Sequence, residues 1–378
     1  MGLIDVLTRA VGSRAHVLVA EVPGAFRPRV ALERALDHMG WCLAESVADA
    51  DVLAVVGDPG DAFAAVIEHV WAQMSEPRVR IHLREEMEVQ VRLSEACEQL
   101  RDGARRLTGQ DVRRSFTPSA EAMAHDDDGD HDSDGDGDGD HEGHAGHSEH
   151  GDEHGDHGGG DGNDHSAMMP DGIALAEGAE DRDGLEMDEL HLPLGPVLAH
   201  WPAGVVLRVT LHGDVVSDAE VEQLPAEPGA TLTGDDRATR AARLLDAAGS
   251  VLTLAGLPAV SARARRLRDR CLDGDLVDGL EVAALGERVG RQRVLRWSMS
   301  GLTVTGSHGG SERLHDRLTE LFERARAELD GEAMSRVGPG AQALPELVRG
   351  QELAAVRLWL AAMMADLAER ELSEAADG

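Results

Sequence analysis

Residues 125–165 divide the chain: His, Asp, Glu and Gly fill 37 of these 41 positions, and the apolar side chains that a core requires are missing. Such a stretch cannot bury enough surface to offset the entropy of ordering it, so the sequence predicts a disordered acidic, His-rich linker over 113–172 between two folded parts. Residues 125–165 carry 16 of the 71 acidic residues and none of the 36 basic ones. The rest of the chain is also acidic, giving a formal charge of −35. That field disfavours phosphate backbones, so the Arg-rich run 263–270 reads as the solvated face of a helix and nucleic acid is not an expected partner. Aromatic residues make up 2 % of the chain, Tyr is absent and Lys is absent, which leaves an aliphatic, helix-rich core of Ala, Val, Leu and Met.

Before the linker, continuous apolar runs of strand length at 15–22, 51–57 and 78–83 alternate with helical patterns after Pro28, over 61–74 and over 84–107. Strands alternating with helices predict an α/β domain over 1–112, a doubly wound, flavodoxin-like parallel sheet. After the linker, Val and Leu alternate on both sides of His212-Gly213-Asp214, the pattern of a β-hairpin over 203–224 within a segment spanning 173–230. Helical periodicity follows over 236–255, 258–272, 276–290, 311–330 and 341–369, so 231–378 reads as a helical region and the C-terminal part as α+β, a small antiparallel sheet with a helical bundle. The N-terminal residues lack the apolar core of a signal peptide, and 353–367 is shorter than the ~20 apolar residues of a membrane span. The expected location is cytoplasmic, peripheral to the inner face of the plasma membrane.

The linker carries the most conspicuous candidate site. His141, His144, His147 and His150 are three apart, and His154 and His157 follow, with carboxylates between them. Neutral imidazoles beside carboxylates suit Zn²⁺ or Ni²⁺, and a flexible chain offers buffering or loading of metal rather than a catalytic geometry. A tether that binds metal incidentally is the competing reading. Asp130, Asp132, Asp134 and Gly135 have calcium-loop spacing, but His141 stands where the bidentate Glu belongs. Residues 55–62 form a strand-to-helix turn without the dinucleotide-binding glycines, and Asp58 lies where an anion would sit. Ser307 and His308 are adjacent in a loop and lack a nucleophile elbow. Cys42, Cys97 and Cys271 are widely spaced and form no CxxC, so neither a disulfide framework nor an iron–sulfur cluster is expected.

One segment is more specific. Ser46, Asp51, Gly57, Val70, Trp71, Gln73, Met74, Glu76, Pro77 and Arg78, in the gapless stretch 46–78, follow a pattern that resembles the small, cluster-bearing subunit of respiratory complex I and of membrane-bound [NiFe] hydrogenases. The resemblance implies a flavodoxin-like fold and, in that family, a [4Fe-4S] cluster held by cysteines near the end of the first strand and eight residues after the Arg that closes the signature. Here the strand end reads VAEVPGAF, residues 19–26, and the downstream position is Glu86. A carboxylate replaces thiolate poorly on a soft cluster, so the resemblance implies a scaffold kept without its cluster. Residues 192–221 resemble the start of the large subunit of the same complexes, through Gly195, Pro196, Gly204, Leu207, Leu211, Gly213, Asp214 and Val215. The histidine that this family places before the hairpin glycine, where quinone binds, is Ala203, which leaves His200 and His191 as the nearby candidates for a cofactor or substrate.

Three functions are therefore expected in order. First is a cluster-less structural or regulatory subunit of a complex I-like or group 4 hydrogenase-like, membrane-associated ion-translocating complex, with that assembly's membrane and peripheral subunits as partners. Second is a metal-handling protein for Ni or Zn acting through the His/Asp tract. Third is a redox-active NADH:quinone oxidoreductase subunit. Catalysis by the chain alone is not expected. Trp71, Trp359 and the apolar helix 353–364 are candidate contact surface.

Overall fold

The structure is a computed structural model that describes residues 14–115, 177–180, 186–227, 236–305, 311–332, 338 and 340–377. The chain divides into a unit comprising Met1–Gln110 and Ala176–Gly378 and a second unit, Asp111–Leu175. The first holds the architecture that follows. The predicted linker and the histidines at 141, 144, 147, 150, 154 and 157 lie outside the described residues, as do Ser307 and His308.

The N-terminal part is α/β. Strands β1 (His16–Glu21), β2 (Cys42–Leu43), β3 (Val52–Val56) and β4 (Val79–Leu83) form a parallel sheet in the order β2-β1-β3-β4. All five residues of β3 are buried, as expected of a strand covered on both faces. On one face Leu32 and Leu36 of α1 (Phe26–Met39) and Leu93, Ala96 and Leu100 of α3 (Val89–Ser115) pack with Val17, Val52 and Ile81. On the other, Phe63, Ile67 and Val70 of α2 (Asp61–Gln73) pack with Leu18, Leu53 and Val55.

A second, antiparallel sheet joins β5 (Glu177–Glu180), β6 (Glu186–Leu194), β7 (Val205–His212) and β8 (Val215–Gln223) in chain order. The hairpin turns where the sequence pattern placed it: Gly213 takes φ +64°, open to glycine without strain, and the register shifts between Thr210 and Leu211. Strand β6 adds to that hairpin by pairing with β7 from Glu189↔His212 to Leu194↔Leu207.

The remaining helices are α4 (Arg237–Leu254), α5 (Pro258–Leu272), α6 (Gly279–Gly290), α7 (Arg293–Ser298), α8 (Leu314–Asp330), α9 (Leu344–Val348) and α10 (Leu353–Asp377), with a short ribbon of β9 (Thr303–Thr305) and β10 (Ser311–Arg313). Asp236 starts α4 by accepting from the Thr239 amide at 2.7 Å, and Pro258 opens α5. Helix α4 is buried almost all round because Ala241, Ala242, Ala247 and Ala248 let neighbouring helices approach closely.

Two expectations are corrected here. Trp359 is 2 % exposed, packed inside the helical core with Leu360 and Met363, so it is not contact surface. Arg268, read as part of a solvated basic face, is likewise 2 % exposed; only Arg263 and Arg266 of that run are exposed, because a helix wedged between layers has no single wet side.

Candidate functional site

In a parallel sheet whose connections diverge from a central strand pair, ligands are commonly held at the carboxyl ends of those strands. Here that crevice lies between the loops after β1 and β3, and the chain itself closes it. Gly57 ends β3 at φ +93°, its amide bonded to the Leu83 carbonyl at 2.8 Å, and a Cβ there would stand 2.9 Å from the Cβ atoms of both Val22 and Ala25. Pro23 is pressed against Gly204, where a Cβ would lie 2.6 Å from its Cγ. The segment leaving β8 seals the other side: the Gly60 amide donates to the Pro225 carbonyl at 3.3 Å, the Glu227 amide to Asp58 at 2.9 Å, and Pro59 bridges Ala226. The Asp58 carboxylate accepts from Arg84 Nε at 2.6 Å. Replacing Gly57 with alanine should cost about 2 kcal/mol or more, from the positive φ and from two close carbon contacts, read as a lowered urea midpoint.

The donor set at this crevice does not fit a [4Fe-4S] cluster. Glu86, at the downstream position where the resemblance implies cysteine, pairs with Arg27 Nε at 2.8 Å, and Glu21 at the end of β1 is engaged with Arg29 at 3.1 Å. The three cysteines stand apart on β2, α3 and α5, and burial pushes the Cys271 thiol up to about 11. Among the described residues there is no group of three or more His, Cys, Asp or Glu arranged to hold a metal ion.

The signature 46–78 proves to be a helix-ending device. Arg78 donates to the Met74 carbonyl at 2.9 Å and to the Trp71 carbonyl, which also accepts from the Met74 amide, closing the end of α2. Its guanidinium lies 4.5 Å from the Trp71 ring centroid, and that of Arg80 lies 4.9 Å away. Glu76 pairs with Arg78 at 3.1 Å, Gln73 hydrogen-bonds His69 at 3.0 Å, and Met74 is buried. Pro77 follows Glu76 through a cis peptide. Asp51 accepts from the His16 amide at 2.8 Å, tying β3 to β1, and Ser46 precedes the short turn Val47–Asp49 without a side-chain cap. Thus these residues hold the layer together, and Trp71 is half-buried by its arginines.

A denser polar site lies where α1 seats on α4 and α5. Arg29 grips Asp246 through both terminal nitrogens, at 2.6 and 3.2 Å, and reaches Glu33 at 2.6 Å. From α5, Arg268 completes the cluster with bonds to Asp246 at 2.5 Å, Glu33 at 2.7 Å and Asp269 at 2.9 Å. Burial raises the Glu33 carboxyl, but Arg29 and then Arg268 outweigh it and hold it at about 2; the same balance keeps Asp246 well below the ordinary carboxylate range. For Glu21 burial wins over Arg29, and its carboxyl is raised. Cavities of ≈ 40 and ≈ 50 Å³ flank Arg29 and Asp246 on two sides, polar spaces of the size that holds ordered water. Nothing in the sequence pattern marks Arg29, Glu33, Asp246 or Arg268 as partners.

His200 borders this cluster. It occupies the left-handed region at φ +60°, and its Nδ1 pairs with Ser250 Oγ of α4 at 3.1 Å. Burial, reinforced by the charge of Arg265, lowers its pKa to about 4, so the ring is neutral at physiological pH. A folded value below the unfolded 6.5 means that the unfolded chain binds the extra proton first. The stabilisation is therefore complete above pH 6.5 and fades as pH falls toward 4. Asparagine tolerates the left-handed backbone and does not titrate, so His200→Asn should remove roughly 2–3 kcal/mol of the stability lost between about pH 7 and pH 4.5, measured by urea denaturation at both values. His191 does not join this site: it lies on the open side of β6, bonded to Thr210 Oγ1 at 3.0 Å.

Comparison with protein-family models, with curated proteins and with solved structures finds no match to the chain. No helix among the described residues is long and apolar enough to cross a membrane.

Proposed function

We propose that this chain is a cluster-less structural or regulatory subunit of a complex I-like or group 4 hydrogenase-like assembly, its N-terminal layer a flavodoxin-like scaffold and its place the inner face of the membrane. One observation carries the reading. The two segments that resemble neighbouring subunits of such a machine share a single apolar core, in which Val197, Val206 and Leu224 pack with Leu53, Val55, Phe63, Ile67 and Met74. A second observation supports the loss of the cluster: the crevice between the β1 and β3 loops is closed by residues 204–227 of the same chain, and carboxylates in ion pairs replace thiolates beside it. On this reading the fold mediates assembly rather than electron transfer. The test is isolation of the tagged full chain, anaerobically, from detergent-solubilised membranes of its host. Co-elution with polytopic ion-translocating subunits, without stoichiometric iron and acid-labile sulfide, is the expected result. A chain that elutes alone sinks the assembly reading, and a stoichiometric cluster returns the redox-active subunit in its place.

The second reading, a Ni or Zn carrier, draws on the spacing of His141, His144, His147, His150, His154 and His157. Deleting 125–165 separates the two. Under the subunit reading the deletion variant still co-elutes with its partners; under the carrier reading it loses metal binding in equilibrium dialysis together with a cellular function that added metal restores.

A further inference from the structure

Beside His200 an open cleft of ≈ 450 Å³ lies between α1 with β2 on one side and α4, α5 and α10 on the other. This is the volume of a small-molecule site. Two arginines line it in an uncommon state. Among the described residues Arg265 hydrogen-bonds only the Thr253 hydroxyl, at 3.4 Å, and Arg357 only the Ala199 carbonyl, at 3.5 Å; neither has a carboxylate oxygen within 4 Å. Arginines of similar burial elsewhere each hold a carboxylate: Arg27 holds Glu86, Arg34 Asp273, Arg80 Glu68, Arg270 Glu281 and Arg326 Asp330.

In a chain with 71 acidic residues and 36 arginines, carboxylate partners are plentiful. Two half-buried guanidinium groups whose hydrogen bonds go only to neutral oxygens, and that line the same cavity, are available to an anion from outside, although the charge of Arg265 is also felt by Glu33. Trp41, Leu36, Leu43 and Leu254 supply apolar lining for an organic body. His200 has its Nδ1 on Ser250 and, being neutral, leaves Nε2 for a hydrogen bond to an oxygen of the ligand. Glu33, already held by Arg29 and Arg268, and the exposed Asp37 and Glu45 line the same cleft and oppose a second negative charge on the ligand. We infer that this cleft binds a small organic monocarboxylate, its carboxylate held by Arg265 and Arg357 and its apolar body laid against Trp41 and Leu254. The inference is independent of the subunit reading.

The experiment is calorimetric titration of the full chain with hexanoate, with hexan-1-ol as the uncharged analogue and inorganic phosphate as the anion without an organic body. Hexanoate is expected to bind saturably in the millimolar range, hexan-1-ol and phosphate at least tenfold more weakly. Arg265→Gln and Arg357→Gln are each expected to weaken hexanoate at least tenfold. Arg291→Gln, which removes an exposed pair with Glu287 far from the cleft, should leave it unchanged. Because the two cleft arginines hydrogen-bond only neutral oxygens, each variant is read separately, and one folded variant suffices. No saturable hexanoate binding, equal binding of hexan-1-ol or phosphate, or full retention by a folded cleft variant overturns the proposal.

Discussion

Replacing Asp246 with alanine is expected to lower the unfolding free energy by about 3–5 kcal/mol, the cost of removing one partner from a buried ion cluster. Arg29 and Arg268 both depend on this carboxylate, and Arg268 is 2 % exposed, so neither guanidinium can turn to water without dragging its helix. The loss should appear in the urea midpoint, and hydrogen exchange should accelerate first in β1 and α1, which the cluster fastens to α4 and α5. A single variant as stable as the parent protein would show that the cluster contributes nothing to the seam.

A comparable loss, again about 3–5 kcal/mol, is expected for Asp366→Ala, but in another place. The Asp366 side chain is fully buried and accepts from Arg317 and, at 2.6 Å, from Arg324, both on α8. Here the open element should be α10, because this pair joins two helices of the bundle and does not reach the parallel sheet. Exchange accelerated in β1 rather than in α10 would refute the assignment. The two sites share no member, so their effects should add in the double variant to within a few tenths of a kcal/mol.

The positions of three of the four parallel strands, the turn of the hairpin at Gly213 and the span of α5 were legible in the sequence because each is a local matter; the two-residue β2 was not. A continuous apolar run, an alternation of two or a period near four records which faces of one element leave water. The absence of thiolates where the resemblance implies iron ligands was equally plain, since it needs only the identity of residues 19–26 and 86.

Burial of α1 on two sides was not legible. Its Leu32 and Leu36 face the sheet while Phe26 and Val30 enter the helical core, and Arg29 meets Asp246 across 217 residues of chain. Periodicity cannot report such a pairing: a charge looks the same in sequence whether it faces solvent or a carboxylate from a distant helix. The same limit explains Arg268 and Trp359, both read as outward and both found inside. Sequence alone determined the main helices, three of the parallel strands and the hairpin, with their order. The tertiary structure decided which charges are sealed and which two arginines are left facing an open cleft, because packing chooses the partners of polar groups from the whole chain.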